Sequence, residues 1–222
     1  MLGSTAFLRR SLKAFAAWVF PLLVLGLALA AFRWNSDAVF IKGNVFFTDG
    51  DCYARMTRVR LLLEHPLEPV RQHDFENYPI GTRPHTTAPL DYLIAGLSSV
   101  IGLFFSDALP LAGAWISPLL GLATLGILAV WLRGVPFGGA MVLLLAVSPI
   151  ISHGFLLGRP DHQSLMMLLV AIALAAEVDM WTGKQRGRLA AVAWALALWV
   201  SLFEPLILLA AVLLLRVCTR RL

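Results

Sequence analysis

Two short segments of the sequence carry residue types that could do chemistry. The first, Thr48-Asp49-Gly50-Asp51-Cys52-Tyr53, has two carboxylates one residue apart and an aromatic residue two positions further on. The second, Gly158-Arg159-Pro160-Asp161-His162-Gln163, places a cation, a carboxylate and an imidazole in one six-residue stretch. Carboxylate oxygens are the ligands that hard divalent cations prefer, and Arg pairs with anions. These residue types therefore suit an anionic substrate that binds together with a metal ion.

Each of these acids also has an ordinary structural explanation. Asp49 and Asp51 could be solvated loop acids. Asp161 follows a proline and directly precedes an apolar segment, so it could simply be the N-cap of a helix. An N-cap role does not explain why Arg159 and His162 stand in the same short turn. Both interpretations of Asp161 are open at this stage.

Other acids lie at the ends of apolar segments. Glu204 precedes Pro205 and either acts at membrane depth or reaches the membrane interface. Glu177 and Asp179 stand close to a basic stretch, so we expect them to pair with Lys184 or Arg186. The sequence contains no Gly-rich phosphate loop, no Cys/His zinc pattern and no nucleophile elbow.

The composition is that of an integral membrane protein. Apolar residues make up 59% of the 222 residues and charged residues 14%, against roughly 45–50% and 25% in soluble domains. The net charge of +5 is therefore assigned loop by loop. No aromatic-basic interleaving occurs, so we expect no nucleic-acid partner. The two cysteines, Cys52 and Cys218, are predicted on opposite membrane faces and hence not joined.

The apolar segments predict an all-α polytopic membrane protein with about six transmembrane helices. One transmembrane domain would cover 1–222, with a first span at 14–32, a long extracytoplasmic loop at 33–109 and five further spans within 110–217. The five segments are 108–132, 137–157, 165–181, 189–203 and 206–217, and Pro149 predicts a kink in the second of them. The basic residues before the first span favour an uncleaved signal anchor, although Ala28-Leu29-Ala30 also resembles a cleavage site.

The long first loop predicts amphipathic helices. Residues 53–64 alternate apolar side chains with Arg55, Arg58 and Arg60, which would lie near lipid headgroups. The apolar stretch 90–105 is short for a span. If it does not cross, the basic residues before the first span, Arg133, the basic loop 184–188 and the arginines at 216–221 all fall on the cytoplasmic side, as the positive-inside rule favours. Asp51, Asp161 and Glu204 then share the extracytoplasmic face.

The order of these motifs resembles the membrane part of the oligosaccharyltransferase catalytic subunit and its relatives, glycosyltransferases of the GT-C type. The resemblance is carried by Asp51-Cys52-Tyr53, Tyr78-Pro79-Ile80-Gly81, His85 and the turn Gly158 to His162. It implies an outer cavity that binds a polyprenyl-linked sugar pyrophosphate, a protein or glycan acceptor, and a divalent cation, Mn²⁺ or Mg²⁺. It also implies the bilayer of a bacterial inner membrane, with the site on the extracytoplasmic face.

The resemblance, which covers Asp51, Asp161 and His85, and the residue types and positions of the others together give each candidate residue a role. Asp51 and Asp161 match the acids that act in catalysis and hold the metal, and His162 would be a further metal ligand. Arg159, His85 and Glu204 would bind the substrate. The expected activity is the transfer of a sugar or oligosaccharide from the polyprenyl carrier to the acceptor.

Two departures from the family pattern keep alternatives open. Gln163 stands where the family has a second metal ligand, and an amide is a poorer ligand than a carboxylate. The soluble C-terminal domain of the family is absent, so we expect a fragment, a truncated reading frame or a minimal relative that needs a partner chain and is inactive alone. The alternatives are a metal-independent transferase that uses a polyprenyl monophosphate sugar and a non-catalytic transporter or scaffold subunit.

Overall fold

The fold is mainly helical, as predicted. A computed structural model describes residues 19–66, 68, 70–83 and 88–219. Helix accounts for 70% of the structure. In chain order the helices are α1 (Val19–Phe32), α2 (Ser36–Val39), α3 (Gly50–Glu64), α4 (Pro89–Ile101), α5 (Ala108–Trp131), α6 (Gly138–Val147), α7 (Pro149–Gly154), α8 (His162–Trp181), α9 (Gly187–Val200) and α10 (Phe203–Thr219).

A short β-hairpin lies between α2 and α3. Strands β1 (Phe40–Ile41) and β2 (Asn44–Val45) pair antiparallel, with Phe40 opposite Val45. The two turn residues, Lys42 and Gly43, have φ angles of 49° and 80°. A two-residue turn with both φ angles positive matches the right-handed twist of paired strands.

Two of the helices are long and apolar enough to span a membrane by length and composition. They are α5, with 24 residues, and α8, with 20, both with a mean hydropathy of 1.8. Each of the other predicted spans also coincides with helix, which confirms the predicted helical segments. Within the described residues, those helices are shorter than α5 and α8. Residues 14–18 of the first predicted span are not among the described residues.

The main apolar core joins the first half of the chain to α8. It includes Phe32 of α1, Val59 of α3, Ile94 of α4, Phe155 and Leu165, all buried. A second cluster of small residues and Trp194 packs α8 against α9. Helices α4 and α8 both pack on α5, so α5 is the central element of the described structure.

At the predicted kink, one helix ends and a new helix begins at Pro149. Helix α6 ends at Val147, Ser148 is extended with a ψ of 123°, and α7 begins at Pro149. Proline has no N–H to continue the ladder, and its fixed φ suits the first position of a new helix.

The interpretation of α3 as a surface helix with lipid-facing arginines is wrong for two of its three arginines. Arg55 and Arg58 are only 3% and 6% exposed, whereas Arg60 is exposed. The reason is Asp91 of α4, itself 6% exposed. Its carboxylate lies 2.6 Å from Arg55 Nη1 and 3.7 Å from Arg58 Nε. A buried charge requires a partner, so this carboxylate turns the arginines inward.

A second proline, in α5, leaves a backbone carbonyl open to bond the turn that follows α7. Pro118 lies inside α5 and lacks the N–H that would bond to the carbonyl of Ala114 four residues earlier. That carbonyl accepts a hydrogen bond from the Gly158 N–H, at 3.0 Å. One residue earlier, the Leu157 N–H donates to the carbonyl of Phe32 at the end of α1, at 2.8 Å. The turn is thus fixed to both α1 and α5.

The opposite ends of α5 and α8 are joined by a polar cluster around Asp179. Its carboxylate lies 2.6 Å from Lys184 Nζ and 3.6 Å from Arg186 Nε, and it accepts a hydrogen bond from Trp131 Nε1 at 2.8 Å. The predicted pairing is therefore confirmed for Asp179. Glu177 instead pairs with Arg216 of α10, at 2.8 Å. This end of α5 and α8 is called the far end below.

Candidate functional site

A backbone hydrogen bond joins the two segments that the sequence singled out. The Thr48 N–H donates to the Gly158 carbonyl at 3.0 Å. Thr48 directly precedes the acidic segment of the first loop, and Gly158 begins the turn that holds Arg159 and Asp161. The two segments are far apart in sequence and lie side by side in the fold.

These segments enclose a small polar cavity between the start of α3 and the start of α8. Its volume is about 170 Å³. Four of the predicted site residues line it: Asp51, Arg159, Asp161 and His162. The remaining lining residues are Cys52, Ala54, Arg55, Arg58, Glu76, Pro160 and Gln163. We call this the outer cavity.

The two acids of the first segment have different positions. Asp49 is the N-cap of α3, and its Oδ1 accepts a hydrogen bond from the Cys52 N–H at 2.9 Å. Partial burial opposes ionisation of Asp49, but hydrogen bonds from Cys52 and Thr48 and the charge of Arg159 lower its pKa overall. Asp51 lies in the first turn of α3 and lines the outer cavity. Capping thus occupies Asp49 and leaves Asp51 at the cavity, where the helix N-terminus favours a negative charge.

Asp161 occupies the N-cap position of α8, but its side chain makes no capping hydrogen bond. Its Oδ1 lies 2.6 Å from His162 Nδ1, and its Oδ2 accepts from Arg159 Nη2 at 3.3 Å. Burial of Asp161 opposes ionisation, but the His162 hydrogen bond and the charges of His162, Arg159 and Arg55 outweigh it and lower its pKa. Capping therefore does not account for this carboxylate, which is held ionised among cationic groups.

The guanidinium of Arg159 is oriented by several acceptors. Nη1 donates to the carbonyl of His153 at 3.1 Å and contacts Nδ1 of the same residue, which must then be the unprotonated nitrogen. Nη2 faces Asp161 and Gln163 Oε1, the latter at 3.4 Å. The backbone is fixed as well, because the Ser117 hydroxyl donates to the Arg159 carbonyl. A guanidinium held in this way has a fixed orientation, and it places a positive charge at the cavity.

Sequence reasoning missed the arginines of α3 as cavity residues. Asp51, Arg55 and Arg58 are spaced i, i+4 and i+7, which places them on one face of a helix. That spacing was a signal that the three side chains share a site. Asp91 gave a second signal, since an acid inside an apolar helix requires a charged partner. Behind the cavity wall, Asp91 binds the two arginines and is a positioning residue for them.

Glu76 is the other acid that sequence reasoning did not assign to the cavity. It belongs to the loop that a bridge between His73 and Thr82 closes. Glu76 Oε2 lies 3.1 Å from the Nε2 of buried His73. The predicted motif at 78–81 lies in the same loop, where the Tyr78–Pro79 peptide bond is cis. No signal around Glu76 in the sequence distinguishes it from other loop acids.

Cys52 lines the outer cavity without the properties of a nucleophile. Its side chain is buried, and burial raises the pKa of its thiol to about 12. The nearby carboxylates of Asp49 and Asp161 raise the pKa further in the same direction. Because the thiolate is the reactive form, Cys52 is a packing residue of the cavity wall.

One predicted substrate-binding residue, Glu204, is not among the described residues that line the cavity. Glu204 is exposed in the first turn of α10, and its carboxylate accepts a hydrogen bond from the Ser201 hydroxyl. His85 lies outside the described residues.

The donor set of the cavity fits a divalent cation that is shared with a substrate phosphate. In the part of the chain that the structure describes, no three His, Cys, Asp or Glu side chains converge as in a preassembled metal centre. Three carboxylates do line the cavity, those of Asp51, Glu76 and Asp161, and the first and last of these belong to the two acidic segments. Mg²⁺ is commonly bound by one or two carboxylates together with substrate phosphates and water. Asp51 and Asp161 are therefore the side chains that would hold such a cation, and His162, the third predicted ligand, instead faces Asp161 through its Nδ1.

The charges around the cavity agree with this arrangement. Three guanidiniums line it, and the carboxylates of Asp51, Glu76 and Asp161 balance them. Asp91 adds one more negative charge behind the wall. A phosphate that binds to these arginines leaves excess negative charge, which a divalent cation would offset.

Comparisons with protein-family profiles, with curated proteins and with solved structures find no match for this chain. The geometry of the outer cavity therefore carries the functional assignment.

The lowered pKa of Asp161 predicts an acid-sensitive contribution to stability. A carboxyl with a folded-state pKa below its ordinary value of 3.8 stabilises the protein above that value. This stabilisation is lost as the pH falls through the folded-state pKa. We expect Asp161→Asn to be less stable than the parent at neutral pH, with a difference that shrinks below about pH 4. Thermal unfolding of both proteins between pH 7 and pH 3 measures this.

The matched control is Gln163→Ala. It removes a neighbouring acceptor of Arg159 that does not titrate, so its stability deficit should not change with pH. A difference between Asp161→Asn and the parent that stays constant down to pH 3 would contradict the predicted role of the ionised carboxylate.

Proposed function

We propose that this chain forms the lipid-phosphate site of a membrane glycosyltransferase of the GT-C type. It would transfer a sugar or oligosaccharide from a polyprenyl (pyro)phosphate carrier to a protein or glycan acceptor outside the cytoplasm. One observation carries this proposal. Asp51 and Asp161, from segments far apart in sequence, line one small cavity together with three arginines.

The side chains of the cavity suggest how the reaction proceeds. Arg55, Arg58 and Arg159 would bind the phosphate oxygens of the donor, since guanidiniums match phosphate geometry. The acceptor attacks the anomeric carbon, the bond from that carbon to the phosphate oxygen breaks, and the carrier phosphate leaves with the electron pair. Asp51 would orient the acceptor and take its proton. A divalent cation, Mg²⁺ or Mn²⁺, would supply charge compensation for the leaving group.

Membrane placement is part of the same proposal. Six spans would be formed by α1, α5, α6 with α7, α8, α9 and α10. Large apolar side chains are exposed along the first and last of these helices, among them Leu22, Leu23, Ile207 and Leu214. Soluble monomers rarely expose apolar patches of this extent. Helix α4 has 13 residues, about 20 Å at 1.5 Å per residue, and would stay on the outer side.

The orientation follows from the charges of the loops. With the outer cavity on the extracytoplasmic face, the far end carries Arg133, Lys184, Arg186, Arg188 and Arg216. This agrees with the excess of Lys and Arg in cytoplasmic loops. The proposed location is the inner membrane of a bacterium.

Binding of a short polyprenyl pyrophosphate tests the proposed site without requiring turnover. We expect the purified full chain in neutral detergent to bind farnesyl pyrophosphate, with tighter binding when Mg²⁺ is present. Asp51→Asn and Asp161→Asn should each lose the Mg²⁺-dependent gain, a weakening of roughly tenfold or more. Isothermal titration with and without EDTA measures this. Asp107→Asn, an exposed acid before α5, is the control and should bind like the parent.

The outcomes separate the alternatives. Binding that EDTA does not change, but that still requires the arginines, would favour a metal-independent transferase that uses a monophosphate carrier. A parent protein that binds no farnesyl pyrophosphate under either condition would rule out the proposed site. That result would leave a transporter or scaffold subunit as the function.

A further inference from the structure

Two apolar grooves flank the far end of α5. The first lies between α1, α5 and α6, has a volume of about 480 Å³ and is lined by residues such as Phe20, Val24 and Val142. The second lies between α5, the α6–α7 segment and α8, with a volume of about 670 Å³. Residues such as Leu128, Met167 and Leu174 line it. We call them the α1 groove and the α8 groove.

The two grooves share part of their lining, which includes the cationic side chain of Arg133. Leu125, Leu132, Arg133, Gly134 and Val135 line both of them. The last turn of α5 and the loop after it therefore separate two adjacent slots, with Arg133 at the boundary. Arg133 is exposed, and no ion pair joins it to a carboxylate in the described residues. Lys184, which also lines the α8 groove, is already paired with Asp179.

We infer that this end of the protein binds one anionic phospholipid with two acyl chains. The phosphate would lie on Arg133, with one chain in each groove. Both volumes fall within the roughly 300–1,000 Å³ of small-molecule sites, and apolar walls suit hydrocarbon. Basic residues beside apolar slots between membrane helices are the chemistry that binds anionic lipid headgroups.

A phospholipid matches both the charge of Arg133 and the apolar lining of the grooves better than a protein partner would. An apolar helix laid into either groove would bring a hydrophobic surface against the Arg133 guanidinium, which would lose water without gaining an anion. A phospholipid supplies both the anion and the hydrocarbon. The inference depends on the proposed membrane placement and not on the proposed transfer chemistry, because the outer cavity lies at the other end of α5 and α8.

Native mass spectrometry of the full chain in neutral detergent tests the inference. The probes are dioleoyl phosphatidylglycerol, dioleoyl phosphatidylcholine and the single-chain oleoyl lysophosphatidylglycerol. We expect the parent protein to bind one phosphatidylglycerol about fivefold more tightly than phosphatidylcholine, because the choline cation of the latter offsets the phosphate charge that Arg133 would bind. The single-chain lipid should bind more weakly than its two-chain counterpart.

Two variants test the headgroup and the chains separately. Arg133→Ala should reduce phosphatidylglycerol binding to the level of phosphatidylcholine. Arg188→Ala is its control, because Arg188 is also exposed near the far end but lines neither groove. Gly126→Leu would fill the α1 groove, since a Cβ at Gly126 meets no atom within 4 Å. It should weaken the two-chain lipid and leave the single-chain lipid unchanged.

Equal binding of the two dioleoyl lipids by the parent protein, or unchanged selectivity in Arg133→Ala, would overturn the inference. So would a dimer that retains no lipid, because a second copy of the chain would then occupy the grooves. None of these results depends on binding of farnesyl pyrophosphate at the outer cavity, so either proposal can fail without the other.

Discussion

Replacing Asp91 by alanine is expected to destabilise the protein by about 3–5 kcal/mol, the range measured when one partner of a buried ion pair is removed. The carboxylate of Asp91 serves two buried arginines, Arg55 at 2.6 Å and Arg58 at 3.7 Å. Without it, two guanidiniums that are at most 6% exposed lose their bond to this carboxylate. We expect a large drop in the thermal unfolding midpoint of the purified protein and loss of farnesyl pyrophosphate binding.

Two further variants identify the cause. Asp107→Ala removes an exposed acid and should leave the unfolding midpoint within the small range of surface substitutions. The triple variant Arg55→Met, Arg58→Met and Asp91→Leu replaces the whole cluster by apolar side chains. It should recover most of the stability, as buried ion clusters often do, but not the binding. An Asp91→Ala protein that unfolds at the parent temperature would show that the cluster contributes little.

Gly158→Ala is expected to displace the turn that carries Arg159 and Asp161. Gly158 has a φ of +72°, where a side chain costs about 1–2 kcal/mol. An added Cβ would also lie 2.7 Å from Val39 Cγ2 and 3.1 Å from the Phe46 carbonyl oxygen. Overpacking of this kind adds about 1–3 kcal/mol. We expect a lower unfolding midpoint and at least tenfold weaker binding of farnesyl pyrophosphate.

Gly134→Ala is the matched control for backbone strain. Gly134 has a similar φ of +82°, but a Cβ there meets no atom within 4 Å. The variant should therefore show only the cost of the left-handed conformation and unchanged binding at the outer cavity. If the two alanine variants have the same midpoint and the same affinity, close packing around Gly158 is not what holds the turn.

The positions of the helices could be predicted from the sequence because a long apolar segment predicts a helix without reference to the rest of the chain. Each predicted segment coincides with a helix, and the interruption at Pro149 follows from the chemistry of proline. The assignment of Asp51 and Asp161 to one face came from the distribution of basic loops. Both acids line the same cavity, and the membrane face on which they lie stays a prediction.

The environment of Arg55 and Arg58 could not be predicted in the same way. Their spacing with apolar residues is equally compatible with a lipid-facing surface and with a buried charged face. Only Asp91, on a different helix, decides between the two, and contacts between distant segments leave no local pattern. The choice of Asp51 over Asp49 came from the resemblance, because Asp51 keeps the family's spacing to Tyr53. The helix begins at Gly50, and that makes Asp49 the cap.

Pro118 has a consequence for the order in which the protein assembles. The ribosome makes residues 48–51 long before the turn at 158–161, so the hydrogen bond between Thr48 and Gly158 can form only after the turn has been synthesised. Gly158 in turn needs the Ala114 carbonyl that Pro118 leaves open on α5. Backbone groups left unsatisfied in an apolar environment are costly, so this carbonyl favours early capture of the turn. The acids of the first loop, although synthesised first, therefore become part of the cavity only once the turn at 158–161 has been made.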